Sequence, residues 1–161
     1  MEQVLFYILA AVAVIATGLA ITEKHPVHAI VYLVTSLFSL AVVFYLLAAP
    51  LVAVFEVIIY AGAIMVLFLF VIMMLDLGHP DQAWRPHIRE WWPALLLGGI
   101  IVAAVLTLTL SRPIPATAAA APGVKAFSRA LFQRYGVAVE IISMQLLFAV
   151  VGALYLGRRR K

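Results

Sequence analysis

EVIIYAGAIMVLFLFVIMML, Glu56–Leu75, decides what kind of protein this is. The stretch holds one carboxylate and no basic residue, and at about 1.5 Å per residue it reaches ~30 Å as a helix, the thickness of a bilayer's hydrocarbon layer. Joined to Leu51–Phe55 before it, the run grows to about 25 residues or ~37 Å, so it must tilt, bulge or project from the membrane. Its second half, MVLFLFVIMML, is apolar on every side; its first half carries a carboxylate, a phenol and a glycine.

The rest of the chain agrees with a membrane reading. Of its 161 residues 66% are hydrophobic and 11% charged, with a mean hydropathy of +1.15. A soluble domain of roughly 150 residues leaves about a third of its unfolded area exposed and could not hide so much apolar surface, which excludes a soluble enzyme. Disorder needs the opposite composition. The absence of cysteine removes disulfides, thiol chemistry and cysteine-held zinc or iron–sulfur centres. The net charge of +4 comes from short connecting segments and the terminal Arg158-Arg159-Arg160-Lys161, with no basic face to neutralise phosphates, so nucleic-acid binding is excluded as well.

Five apolar runs predict an all-α, five-helix integral membrane protein forming a single membrane domain over 1–161, with helices at about 4–21, 27–48, 51–75, 93–110 and 136–156. Pro26 suits a first helical turn, where the missing N–H would be unpaired anyway. Trp91-Trp92 fit an interfacial aromatic belt. The first run has Glu2 where a signal peptide needs a basic segment and lacks a convincing cleavage site, so it is expected to be retained. With the N-terminus outside (periplasmic) and the C-terminus inside (cytoplasmic), seven of the eleven basic residues fall inside, the orientation that positive-inside bias favours. Gly78–Trp92 reads as a polar inside loop, and RPIPATAAAAPG (112–123) as irregular. VKAFSRALFQRY (124–135) places Val124, Phe127, Ala130 and Leu131 on one helical face, away from Lys125, Ser128, Arg129 and Gln133. That pattern predicts an amphipathic helix on the outer interface. The four histidines, His25, His28, His79 and His87, fall at helix ends or in loops and read as solvated or capping groups; no metal-ligand spacing, nucleophile–base pair or phosphate loop is present.

Carboxylates inside apolar runs are expensive, and therefore functional candidates. Glu56 lies about 12 Å from the middle of the third run and Glu140 a similar distance from that of the fifth, both toward the outer side in this orientation. Each is either a side chain that stretches to the interface or a protonatable, water-ordering group facing a neighbouring helix. Tyr60, four residues after Glu56, shares its face and can join a water chain. Gly62 in Ala61-Gly62-Ala63 costs roughly 1 kcal/mol relative to Ala in a helix. It serves either close helix packing or a local departure from regular helix such as a π-bulge. No repeat divides the chain into transporter-like halves.

Glu56–Leu75 resembles the corresponding stretch of the J subunits of bacterial NADH:quinone oxidoreductase (respiratory complex I), counterparts of mitochondrial NADH dehydrogenase subunit six. The resemblance extends to HPVHAIVYL (His25–Leu33) and to ALFQRYGVAVEIISMQLLFAVVGALYL (Ala130–Leu156). It implies a non-catalytic subunit of a proton-translocating enzyme (a translocase) in the bacterial inner membrane. Such a subunit holds no cofactor itself, with FMN, iron–sulfur clusters and quinone elsewhere in the complex. Its partners are the quinone-site neighbours, the antiporter-like subunits and lipid. The resemblance also implies a π-bulge at Tyr60–Gly62 whose switching to regular helix gates a water chain. Such a switch would rotate the remainder of the helix by about 100°, swinging Met65 and Phe68 into or out of a polar gap. The site residues expected on these grounds are Glu56, Tyr60, Gly62, Met65, Phe68 and Glu140. The alternatives are the equivalent subunit of a complex-I-related dehydrogenase or membrane-bound hydrogenase, and a small self-contained transporter coupled through Glu56.

Overall fold

A computed structural model describes residues 2–75, 88–110 and 123–157, and all regular structure among them is helical. Hydrocarbon offers no partner to a backbone N–H or C=O, so a spanning segment satisfies its own as a helix. Five stretches are long and apolar enough to cross: Gln3–Thr22, Pro26–Leu46, Pro50–Leu75, Trp91–Leu110 and Gly136–Gly157. The chain divides into two compact units, Met1–Ala121 and Pro122–Lys161.

The first unit contains α1 (Glu2–Thr22) and α2 (Pro26–Leu46). Next comes a third span built in three pieces: α3 (Pro50–Phe55), a π-helical segment (Glu56–Ile64) and α4 (Met65–Leu75). α5 (Ile88–Leu110) completes the unit. Leu9, Val12 and Ala16 of α1, Tyr32 and Val43 of α2, and Leu97, Ile101 and Ala104 of α5 form its core. Burying apolar surface gains little when lipid is the alternative, so close contact and interhelical hydrogen bonds must hold the spans together. Those bonds join α1 to α2. Ser39 Oγ, fully buried, donates to the Leu9 carbonyl at 2.7 Å; Ser36 Oγ donates to the Ala13 carbonyl at 3.0 Å and shares a 2.8 Å bond with Thr17 Oγ. His28, Tyr32, Ser36, Ser39 and Val43 are buried at helical spacing, giving α2 one continuous packed face.

α2 passes into the third span through a left-handed turn. The Ala49 N–H donates to the Phe44 carbonyl at 3.0 Å and the Ala48 N–H to the Tyr45 carbonyl at 3.2 Å, the paired bonds of a Schellman cap. Ala48 takes φ 60° there, a position where glycine is usual. Pro50 then starts α3, since it cannot continue a helix but suits the first turn of one.

α5 corrects one expectation. Its helix starts at Ile88, so Ile88–Trp92 are helical where a loop was expected, and Pro93 lies inside the helix instead of beginning it. Proline so near a helix start removes only one early backbone bond. The rest of the expected loop, residues 78–87, lies outside the described residues, as do the 111–122 stretch and Arg158–Lys161.

The second unit holds α6 (Val124–Arg134) and α7 (Gly136–Gly157), separated by Tyr135 at φ −117°, ψ 21°. α6 is amphipathic as its sequence predicts, and α7 is apolar all round.

Two substitutions test this packing. Ser39→Ala should lower the stability of the detergent-solubilised protein by about 0.6 kcal/mol, the usual worth of such a bond between membrane helices; no change would show the bond contributes nothing. Ala48→Gly should raise the thermal midpoint, by relief of about 1 kcal/mol of left-handed strain, and a lowered midpoint would contradict the turn described.

Candidate functional site in the third span

Nine residues, EVIIYAGAI, carry π-helical hydrogen bonding from i to i−5 in place of the α pattern. The Met65 N–H, just past the segment, still donates to the Tyr60 carbonyl five residues back as well as to that of Gly62. π-helix occurs mostly as single-turn bulges, and this stretch is longer. Gly62 explains part of its tolerance here. A Cβ at that position would stand 3.1 Å from the Val57 carbonyl oxygen, closer than side chains normally sit, so only glycine lets this carbonyl come so near without displacing it. Gly62 therefore lies inside the π segment, the seventh of its nine residues.

The segment is gripped on one side only. Ala53, Ala61 and Met65 are buried, while Tyr60 and Phe68 are about half exposed at 50% and 53%, and Glu56 is half-buried. Among the described residues neither the Glu56 carboxylate nor the Tyr60 hydroxyl has a hydrogen-bond partner. Met65 and Phe68 thus lie in unlike surroundings in this register, one packed and one open. Beside the segment an apolar groove of about 680 Å³ runs between α2, the third span and α5, with Val57 and Ile58 on one wall and Val105 and Leu108 on the other. Interiors packed to normal density resist rearrangement; a helix wall beside open volume does not. Glu140 lies in the second unit, on α7, exposed.

A second polar cluster escapes a reading from sequence. His28, expected to be solvated, is 9% exposed, with its ring edge-to-face against Trp91 of α5 at 5.3 Å. Burial follows from its place on the packed face of α2, four residues before Tyr32, a spacing visible in PVHAIVY. His25 meets it edge-on at 5.7 Å and occupies the N-cap position of α2, though its side chain makes no capping bond. Trp92 is 65% exposed, as an interfacial belt requires, whereas Trp91 turns inward with its indole N–H buried and unpartnered. His79 and His87 lie outside the described residues, and among those described no group of three or more potential ligands could hold a metal ion.

Residues 5–156 match the family described as NADH-ubiquinone/plastoquinone oxidoreductase chain 6. The chain is similar to proteins named NADH-quinone oxidoreductase subunit J. It is 42% identical to that of Pseudomonas aeruginosa, over 96% of this chain and 95% of the relative. To that of Escherichia coli K12 it is 38% identical, over 97% and 86%. To that of Rhodobacter capsulatus it is 34% identical, over 97% and 81%.

Gly62→Ala should move the Glu56–Ile64 stretch toward α register, because the added methyl crowds the Val57 carbonyl while alanine favours regular helix by roughly 1 kcal/mol. Side-chain-resolved density of the variant should then show the residues before the shift rotated by about one position relative to those after it. An unchanged π segment would show that glycine is not what permits it.

Proposed function

The chain belongs to the NADH-ubiquinone/plastoquinone oxidoreductase chain 6 family, and on that premise we propose that it helps couple electron transfer to proton translocation without itself carrying out redox chemistry. It is a multi-pass membrane subunit of NADH:quinone oxidoreductase. Its proposed setting is the bacterial inner membrane, N-terminus outside, between subunits beside the quinone site and antiporter-like subunits. FMN, iron–sulfur clusters and quinone are assigned to those other subunits. A chain without cysteine offers no thiolate to a cluster.

The observation that carries the reading is the nine-residue π segment containing Glu56, Tyr60 and Gly62. A π stretch and an α stretch of one sequence differ by one position of register. Passing between them turns the flanking side chains by about 100°. With Glu56 and Tyr60 on the more open side and apolar residues such as Met65 and Phe68 after them, that turn exchanges polar for apolar groups along a neighbouring helix. Water carries protons where polar groups line a gap, and an apolar plug stops them by excluding it. The groove beside Val57 and Ile58 gives the wall room to move. Glu56 is the protonatable group of the proposed gate, Tyr60 its hydrogen-bonding companion and Gly62 the hinge. Glu140 is a second candidate carboxylate on another span.

Gly62→Leu and Tyr60→Phe should reduce the protons moved per NADH oxidised in the assembled complex. NADH oxidation by artificial acceptors, which needs only the redox subunits, should be unaffected. Loss of pumping strictly proportional to loss of assembled complex would reduce the third span to a scaffold and overturn the gate.

A further inference from the structure

α6 is an eleven-residue helix, VKAFSRALFQR, with three cations and no acidic residue. At about 100° per residue Lys125 and Arg129 stand about 40° apart on the polar side, beside Ser128 and Gln133. Val124, Phe127 and Leu131 gather opposite them, while Phe132 stands about 20° from Lys125 on the polar side and Arg134 closes the last turn, where a cation suits the negative end of the helix. Among the described residues none of the three cations meets a carboxylate. Val124 on the apolar side and Phe132 beside the cations are exposed at 67% and 66%, more apolar surface than a water-facing helix of this length should present. Only Tyr135 separates α6 from Gly136, the first residue of a membrane span, which fixes the helix at the depth of the bilayer surface.

We propose that α6 lies on the membrane with its apolar side in the acyl boundary and that Lys125 and Arg129 bind the headgroups of anionic phospholipid. Charge complementarity selects the occupant. A zwitterionic surface would serve the apolar face equally well but give these cations nothing, whereas basic residues near an anionic surface each strengthen binding about fivefold. An acidic surface of another subunit would complement the charges too, but would leave unexplained an apolar side continuous with a lipid-spanning helix. The inference does not depend on the gate proposed for the third span, and it is read in whatever assembly the chain purifies with.

The test places a photo-crosslinking benzoylphenylalanine at Phe132 in the assembled complex. The complex is then reconstituted into vesicles of phosphatidylcholine alone or of phosphatidylcholine with phosphatidylglycerol. The expected adducts are lipid, with phosphatidylglycerol enriched over its bulk proportion. That enrichment should be lost in Lys125→Gln/Arg129→Gln and kept in Arg129→Lys. If the neutral variant fails to assemble, rising salt on the wild-type sequence should abolish the enrichment instead, because such attraction is screened. Adducts to another subunit, no adduct at all, lipid adducts at the bulk ratio, or enrichment indifferent to both charge and salt would each overturn the proposal.

Discussion

A chain in hydrocarbon must satisfy its own backbone, since every N–H or C=O left open there costs several kcal/mol. That constraint explains why the third span departs from α-helix in the way it does. A soluble protein can absorb an extra residue in a loop or kink solvated by water. Here the surplus is spread through Glu56–Ile64 as a change of hydrogen-bonding register, with the bonds lengthened in sequence from four residues to five and not broken. The same constraint shapes the approach to the span, where the Schellman cap closes the carbonyls of Phe44 and Tyr45 before Pro50 begins the next helix.

The remaining packing follows from weak forces between spans. α1 and α2 are bound through Ser36, Ser39 and Thr17, whose small side chains let the backbones come close enough for hydroxyls to reach carbonyls across the interface. The third span has no such polar clasp among the described residues. Ala53, Ala61 and Met65 hold it from one side, while the apolar groove lies along another. A firmly joined pair beside a lightly held, irregular helix is a suitable division between a frame and a moving part, because mobile elements come from regions of low local stability.

Much of this is legible in the sequence, because hydropathy over some twenty residues is a strong signal. All five spans appear where the apolar runs put them, with most boundaries within two residues. The fourth differs at its start, where Arg89, Glu90 and Pro93 look like loop chemistry although a helix can carry all three near its first turns. Gly62 stands out as an anomaly, but residue types alone do not decide between close packing and altered register; the distance to the Val57 carbonyl does. Ala48 is invisible, because the turn it makes normally announces itself with glycine. His28 misleads by its nearness to a helix end, although its four-residue spacing to Tyr32 already places it on the packed face. Tyr60 and Glu140 are exposed in this chain and Glu56 is half-buried, and what they act on is not legible in its sequence.

The central claim is that Glu56–Ile64 exchanges two hydrogen-bonding registers as the enzyme works. It is tested most directly by density for Tyr60–Gly62 in the assembled complex, compared between the resting enzyme and the enzyme trapped while oxidising NADH. The account predicts π register in one state and α register in the other, with the flanking side chains turned by about 100°. One unchanged register in both states would contradict it.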